Sequence, residues 1–180
     1  MEYQKELVEK AQKGSYYAFS QLYEEIYLDL FKMAYYTLGN RMDAEDVVAE
    51  AVIDAWKSIG RLRAAEAFGS WMLRILMRKC KGKLKEYIKH KNQVDIETVD
   101  EKEWCEYDYT DEREMGYDIE QAFRVLEHQE RMIVSLSFWS GYNSTQIGEM
   151  LQMNPSTVRS KLKRSLEKMR DRLEVYHGQQ

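Results

Sequence analysis

The chain has 180 residues, 44% of them hydrophobic, and a net charge of −4 at pH 7. None of its apolar stretches reaches the roughly 18 residues of a membrane span, and its first residues lack the apolar core of a signal peptide. We therefore expect a cytoplasmic protein. Proline occurs once, at Pro155, and straight-chain residues dominate, which favours helix over strand.

Four amphipathic helices are predicted in the first half of the chain: Glu2–Lys13, Tyr16–Leu38, a third helix after Asp43, and a fourth from Phe68 to about Lys89. Gly39-Asn40 ends the second helix. We expect Asp43 to cap the third helix, with Asp46 at its third helical position. A stretch punctuated by glycine, Ser58–Ala67, separates the third helix from the fourth.

The middle of the chain lacks apolar periodicity and is acidic, with too few aliphatic residues to bury much surface. Four further helices are predicted after it, near Tyr117–Leu126, Gln129–Ser140, Ser144–Leu151 and Pro155–Tyr176. The sequence therefore predicts an all-α protein with two small helical domains, residues 1–91 and 117–176, joined by a flexible acidic linker over residues 92–116.

The charges form opposed blocks along the chain. Residues 1–60 have a net charge of −5, residues 61–91 of +8, residues 92–120 of −10 and residues 121–180 of +3. Because the overall value is an average over these blocks, it does not argue against nucleic-acid binding by either positive block. The two cysteines, Cys80 and Cys105, form no CxxC pair, and we expect two reduced thiols rather than a disulfide or a metal site.

The pattern near the C-terminus is typical of a helix-turn-helix. Asn143 precedes Gln146 by three residues, as in a capping box, and Asn154-Pro155 starts a second helix directly after a short turn. The second helix has a small, polar start and a basic body, with Arg159, Ser160, Lys163 and Arg164 predicted to face outward. Arginine can reach the guanine edge in the major groove, and lysine can bind phosphate. The alternative is a solvated basic face on an ordinary amphipathic helix.

An acidic ridge is predicted on the third helix, where four carboxylates recur at intervals of three and four residues: Asp43, Asp46, Glu50 and Asp54. Carboxylate clusters can hold metal or carry out acid–base chemistry. No histidine accompanies this cluster, and a helix ridge offers no pocket. We therefore expect it to face either the basic surface of a protein partner or solvent, and we predict no metal site, cofactor or catalytic residue.

These motifs resemble those of bacterial sigma factors, in particular the small extracytoplasmic-function (ECF) class. The segment from Asp43 to Glu50, continued by Ala55-Trp56, is similar to the polymerase-binding helix of that family. Phe68-Gly-Ser-Trp71-Met-Leu-Arg74-Ile75 is similar to its aromatic segment, and Thr157–Leu162 followed by Arg164 is similar to its C-terminal module. The resemblance covers nearly the whole chain except the linker.

The resemblance implies roles for three groups of residues. Polymerase binding would fall to Asp43, Asp46, Glu50 and Asp54. Contacts to the minus-ten element and the melted strand would fall to Arg61, Arg63, Trp71, Arg74, Arg78, Lys79, Lys81 and Lys83, with Lys85 further along. For Trp71, a role in the core is an equal alternative. Reading of the minus-thirty-five element would fall to Ser156, Thr157, Arg159, Ser160, Lys161, Lys163 and Arg164, with Lys161 on phosphate.

The partners implied are core RNA polymerase, promoter DNA both as duplex and as melted strand, and an anti-sigma factor, often membrane-bound. No small-molecule substrate is implied. The acidic linker would thread the polymerase channels. This sequence departs from the family pattern at Arg78, where asparagine is frequent, and at Gly82, where aspartate is frequent. It also has Glu127 in place of proline, and Gln152 in place of the turn glycine.

Two other functions are compatible with parts of the sequence. One is a stand-alone helix-turn-helix regulator whose N-terminal half is a dimerisation or ligand module, and which binds palindromic duplex DNA as a symmetric dimer. The other is a helical enzyme that uses the acidic ridge with Mg²⁺. The enzyme is disfavoured because no histidine or nucleophile joins the carboxylates and no glycine-rich phosphate loop is present.

Overall fold

The computed structural model of the protein describes residues 5–91 and 113–177. Within these ranges the chain forms α-helices and two 3₁₀ turns, Ile59–Arg61 and Ala65–Ala67, and no strand, which confirms the all-α prediction. The helices are α1 (Lys5–Gln12), α2 (Tyr16–Leu38), α3 (Arg41–Ser58), α4 (Phe68–Lys91), α5 (Arg113–Arg124), α6 (His128–Phe138), α7 (Ser144–Leu151) and α8 (Pro155–His177). No helix in the described ranges is both long and apolar enough to cross a membrane.

The described helices belong to two compact units. The first contains α1, α4, most of α2 and all of α3 but its first residue; the second contains α5 to α8 and residues 36–41. Residues 92–112 of the predicted linker lie outside the described residues, so the flexible linker and the domain boundaries stay predictions. Residues 113–116, which we assigned to that linker, instead form the first turn of α5.

The core of the first unit follows from the helical spacing of its apolar residues. The buried side chains of α2 include Phe19, Leu22, Ile26, Leu30 and Met33, and those of α4 include Phe68, Met72 and Leu76. Burial of each side chain of this size stabilises the fold by about 1.5–3 kcal/mol. The small residues of α3 are buried as well, among them Val47, Val48, Ala51 and Ala55.

The start of α3 differs from the prediction. The helix begins at Arg41, so Asp43 lies in its first turn and does not cap it. The Asp43 side chain is nearly buried, where Oδ1 lies 2.9 Å from Lys83 Nζ and Oδ2 accepts a hydrogen bond from the Tyr87 hydroxyl. These two partners on α4 hold the carboxylate in place of the backbone N–H groups that a capping residue would bind.

The second unit is held together by apolar packing and by one buried carboxylate. Phe123, Leu126 and Val134 form an apolar cluster, and Leu162 and Met169 of α8 pack against it. Glu130 completes a capping box with Glu127 at the start of α6, and Lys168 Nζ of α8 donates to both of its carboxylate oxygens at 2.9 Å. Arg131 binds the C-terminal end of α5, where its Nε donates a hydrogen bond to the Phe123 carbonyl at 3.1 Å.

Candidate nucleic-acid interfaces and the acidic face of α3

The turn between α7 and α8 has the geometry of a helix-turn-helix. The Asn143 side chain accepts from the N–H groups of Thr145 and Gln146 at 3.0 and 3.1 Å, and Gln146 Oε1 accepts in return from the Asn143 N–H at 3.0 Å. The predicted capping box is therefore present. At the start of α8, Asn154 Oδ1 accepts from the Ser156 N–H at 2.9 Å, which makes Asn154 the predicted cap of that helix.

A left-handed residue and a glycine make this turn tight. Gln152 has φ of 58° and ψ of 50°, at the position where the sequence has glutamine in place of glycine. The Gly148 carbonyl accepts from the Gln152 N–H and, at 2.8 Å, from the Met153 N–H. A Cβ on Gly148 would lie 2.6 Å from the Met153 carbonyl oxygen, so the chain passes this close only because residue 148 has no side chain.

The first half of α8 exposes most of the residues predicted to read DNA. Ser156, Thr157, Arg159, Ser160, Lys163 and Arg164 are all exposed. Arg164 Nε donates to the Ser160 carbonyl at 3.2 Å, which lays the guanidinium back along the helix towards its N-terminus. Lys161 is half-buried on the side that faces α6, where its charge helps to lower the pKa of Glu130. The structure therefore groups Lys161 with the inward face and the other six residues on one accessible surface.

Six basic residues of α4 divide between two faces, and Lys81 is half-buried. Arg74, Arg78, Lys85 and Lys89 are exposed and recur at intervals that place them on one side of the helix. Lys79 and Lys83 instead point at α3. Lys79 Nζ lies 2.9 Å from Asp54 Oδ2 and 3.2 Å from Glu50 Oε2, and Lys83 Nζ pairs with Asp43. Lys79 and Lys83 were both predicted to contact DNA, but the structure does not bring them together with this exposed set.

The carboxylates of the predicted acidic ridge also divide into two sets. The hydrogen bonds that Lys79 donates to Asp54 and Glu50 raise the pKa of Lys79, and the Lys79 ammonium lowers the pKa of Asp54. Burial, and then the hydrogen bond to Asp43, raise the pKa of the Tyr87 phenol, so it stays a donor to Asp43. The side chains of Asp43 and Asp54 thus contact α4. Asp46 is exposed, and Glu50 is largely exposed despite its contact with Lys79.

The sequence reasoning missed Tyr87 as a partner of Asp43. Lys79, Lys83 and Tyr87 follow one another at intervals of four residues on α4. The spacing was visible in the sequence, but it could not show that the three side chains meet α3.

The loop before α4 is positioned by α1. The Gln12 side-chain amide donates to the Leu62 carbonyl at 2.6 Å and to the Ile59 carbonyl at 3.4 Å. Arg61 and Arg63, predicted to contact the minus-ten element, are both exposed in this loop. Trp71, predicted for the same surface, is half-buried with its ring centroid 6.1 Å from that of Phe68.

Two regions of the chain match protein-family models. Residues 22–87, which include α3 and nearly all of α4, match Sigma-70 region 2. Residues 122–171, which include the helix-turn-helix, match Sigma-70, region 4. The two regions together take in well over half of the chain, and the chain belongs to the sigma-70 family. Proteins of this family are transcription initiation factors rather than catalysts.

The relatives to which the chain is similar include ECF sigma factors. The chain is 27% identical to the ECF RNA polymerase sigma factor SigM of Mycobacterium tuberculosis, over 84% of this chain and 75% of the relative. It is 28% identical to the RNA polymerase sigma factor SigV of Bacillus subtilis, over 81% of this chain and 84% of the relative. It is 25% identical to the ECF RNA polymerase sigma factor SigW of Bacillus subtilis, over 94% of this chain and 96% of the relative.

Two solved structures share the fold. One is CnrH in complex with the cytosolic domain of CnrY, with a TM-score of 0.63 and 16% identity, covering 95% of this chain and 97% of that one. The other is the sigma factor RpoE in complex with the anti-sigma factor NepR from Bartonella quintana, with a TM-score of 0.62 and 19% identity, covering 86% of this chain and 98% of that one.

Proposed function

We propose that the chain is a promoter-specific ECF sigma factor, which binds core RNA polymerase through α3 and promoter DNA through α4, the loop before it and the first half of α8. The observation that carries the proposal is that the exposed basic residues of each proposed DNA contact lie within a matched sigma-70 region. Region 2 includes those of α4 up to Lys85 and of the loop before it, and region 4 includes those in the first half of α8. Such a factor has no catalytic residue of its own. It acts in the cytoplasm, where it positions the polymerase at the promoter and stabilises unpaired DNA.

The minus-ten contact is assigned to exposed cations of the first unit. Arg74, Arg78 and Lys85 lie along one face of α4 and would follow the phosphates of the opening strand, with Arg61 and Arg63 in the preceding loop. Lys79 and Lys83 form ion pairs with carboxylates of α3, so their main role in this proposal is to hold α3 and α4 together. Each phosphate contact that is lost should lower the salt dependence of binding.

The minus-thirty-five contact is assigned to the first half of α8. A recognition helix enters the major groove with its leading residues, and here those residues are small and polar, Ser156 and Thr157. Arg159, Lys163 and Arg164 follow them on the exposed side and can donate to guanine or phosphate. The structures of CnrH and RpoE contain CnrY and the anti-sigma factor NepR, respectively. By analogy, an anti-sigma factor would cover the polymerase-binding surface of this chain.

Charge reversal on α3 tests the polymerase contact. We expect Asp46→Lys combined with Glu50→Lys to abolish binding to core RNA polymerase, because like charges placed across an interface repel. The matched control is Glu24→Lys combined with Glu25→Lys, which makes the same change of net charge at two exposed positions of α2. The control variant should bind like the unmodified chain. Equal binding by both variants, with helical content intact, would refute the assignment of α3.

A further inference from the structure

The outward-facing line of α3 is more apolar than the acidic ridge suggests. Met42, Asp46, Ala49 and Ile53 are all exposed, and their spacing of four, three and four residues puts them on one face of the helix. Met42 is 75% exposed and Ile53 is 52% exposed. Apolar side chains that stand singly are ordinary at a protein surface, whereas an exposed apolar patch rimmed by polar residues is typical of a protein–protein contact.

Aromatic side chains extend this line at its C-terminal end. Trp56 follows Ile53 by one helical turn and is half-buried. Its indole is contacted edge-on by the ring of Tyr16, with 5.8 Å between the centroids, and Tyr16 itself is 71% exposed. Ile53, Trp56 and Tyr16 therefore contribute to one apolar patch on the first unit. Exposed aromatic residues of this kind carry a large share of the binding energy in protein interfaces.

The charges beside the line indicate the chemistry of its partner. Glu45, Asp46 and Glu50 are exposed on or next to this face, whereas Asp43 is nearly buried against α4. The exposed acidic groups favour a basic partner and would speed its approach. An apolar line among carboxylates fits a partner surface that presents apolar side chains between lysines or arginines.

We propose that Met42 and Ile53 are the anchors by which α3 holds a basic, apolar-bearing surface of core RNA polymerase, with Tyr16 and Trp56 enlarging the contact at the Ile53 end. The inference rests on the proposed function, because it names residues of the same polymerase-binding surface. The carboxylates steer the two proteins together, and the apolar anchors slow their dissociation. Neither anchor belongs to the acidic ridge.

The test compares the dissociation constants of full-length variants with core RNA polymerase at low and high salt. We expect Ile53→Ser and Met42→Ser each to weaken binding by roughly tenfold or more, by a similar factor at both salt concentrations. Asp46→Asn should weaken binding less than the serine variants do at low salt. Most of this loss should disappear at high salt, because salt screens charges. Tyr17→Ser is the matched control, since Tyr17 is 73% exposed and lies outside the contact with Trp56, and it should bind within about twofold of the unmodified chain.

The outcomes separate this inference from the proposed function. If the unmodified chain binds polymerase and both serine variants bind within about twofold of it, the apolar anchors are refuted and the sigma-factor function stands. If the unmodified chain does not bind polymerase at all, the proposed function itself fails. Circular dichroism of both serine variants should show unchanged melting, because each replaced side chain is exposed by more than half. A binding loss that appears only where melting falls would also refute the anchors.

Discussion

Replacing glycine by alanine is expected to have opposite effects at two helical positions of this chain. Gly148 lies in α7 at the turn of the helix-turn-helix, where an added Cβ would come within 2.6 Å of the Met153 carbonyl oxygen. Gly82 lies within α4, where an added Cβ meets no heavy atom within 4 Å. We expect Gly148→Ala to destabilise the second unit and Gly82→Ala to stabilise α4.

The magnitudes follow from helix propensity and packing. Alanine gains roughly 0.8–1.0 kcal/mol over glycine inside a helix at either position. At Gly148 the new contact would be 0.8 Å shorter than the 3.4 Å at which ordinary contacts begin. The Met153 carbonyl cannot move away easily, because the N–H of the same residue is bonded to the Gly148 carbonyl at 2.8 Å. Overpacking against backbone costs up to about 3 kcal/mol, which leaves a net loss of roughly 2 kcal/mol for Gly148→Ala.

Native-state amide hydrogen exchange can measure both effects, because it reports the free energy of opening helix by helix. The slowest amides of α7 and α8 should exchange faster in Gly148→Ala, and those of α4 should exchange more slowly in Gly82→Ala. Binding of the Gly148 variant to the minus-thirty-five element should weaken too, because the start of α8 is displaced. Equal stabilisation by both substitutions would contradict the close approach at the turn.

Three further predictions concern single side chains. Arg164→Ala should weaken binding to the cognate upstream element by about 1–3 kcal/mol, and an equal loss on scrambled DNA would reduce Arg164 to a phosphate contact. Burial alone would raise the pKa of Glu130, but the Lys168 ammonium and the Glu127 N–H outweigh it and lower the pKa. The stability that this ionised carboxylate adds is present above the unfolded-state pKa of 4.5 and is lost as the pH falls through the lowered folded-state pKa. Glu130→Gln should therefore flatten the acid-unfolding curve of the second unit below pH 4.5. Burial raises the pKa of the Cys80 thiol to about 12, so in a Cys105→Ser background it should react with a thiol reagent at pH 8 only as fast as the first unit opens; rapid labelling of the native protein would contradict this.

The helix-turn-helix could be predicted almost residue by residue, because its signals are local. Asn143 with Gln146 and Asn154 with Pro155 are capping patterns that act within one helical turn. The bounds of α7 came out as predicted, and Gln152, which replaces the turn glycine, has the left-handed conformation that favours glycine. A capping residue binds backbone groups a few positions away, so the sequence alone contains both partners.

The sequence could not predict which carboxylates of the acidic ridge are exposed, because this depends on residues far along the chain. The i, i+3 and i+4 spacing placed four carboxylates on one helix, but it could not show that Asp43 is covered by Lys83 and Tyr87, some forty residues later. For the same reason, a run of lysines on α4 predicted a single DNA-binding surface. In the folded protein, Lys79 instead forms ion pairs with Asp54 and Glu50.

The exposed face of α3 was missed for a different reason. Met42 and Ile53 were not assigned to the buried side of the helix, and their spacing with Ala49 already put them on another face. An apolar residue off the buried face is common at protein surfaces, so one such residue carries little information. The alignment of two large ones beside Tyr16 and Trp56 becomes visible only after α2 and α3 pack together.

In vitro transcription with core RNA polymerase and genomic DNA tests the account most directly, since it requires both DNA-binding surfaces and the α3 face together. Addition of the chain should produce transcripts that start downstream of shared promoter sequences. The Asp46→Lys, Glu50→Lys variant should remove these transcripts, and the Glu24→Lys, Glu25→Lys variant should retain them. If the folded chain neither associates with core polymerase nor changes where transcripts start, the account is wrong.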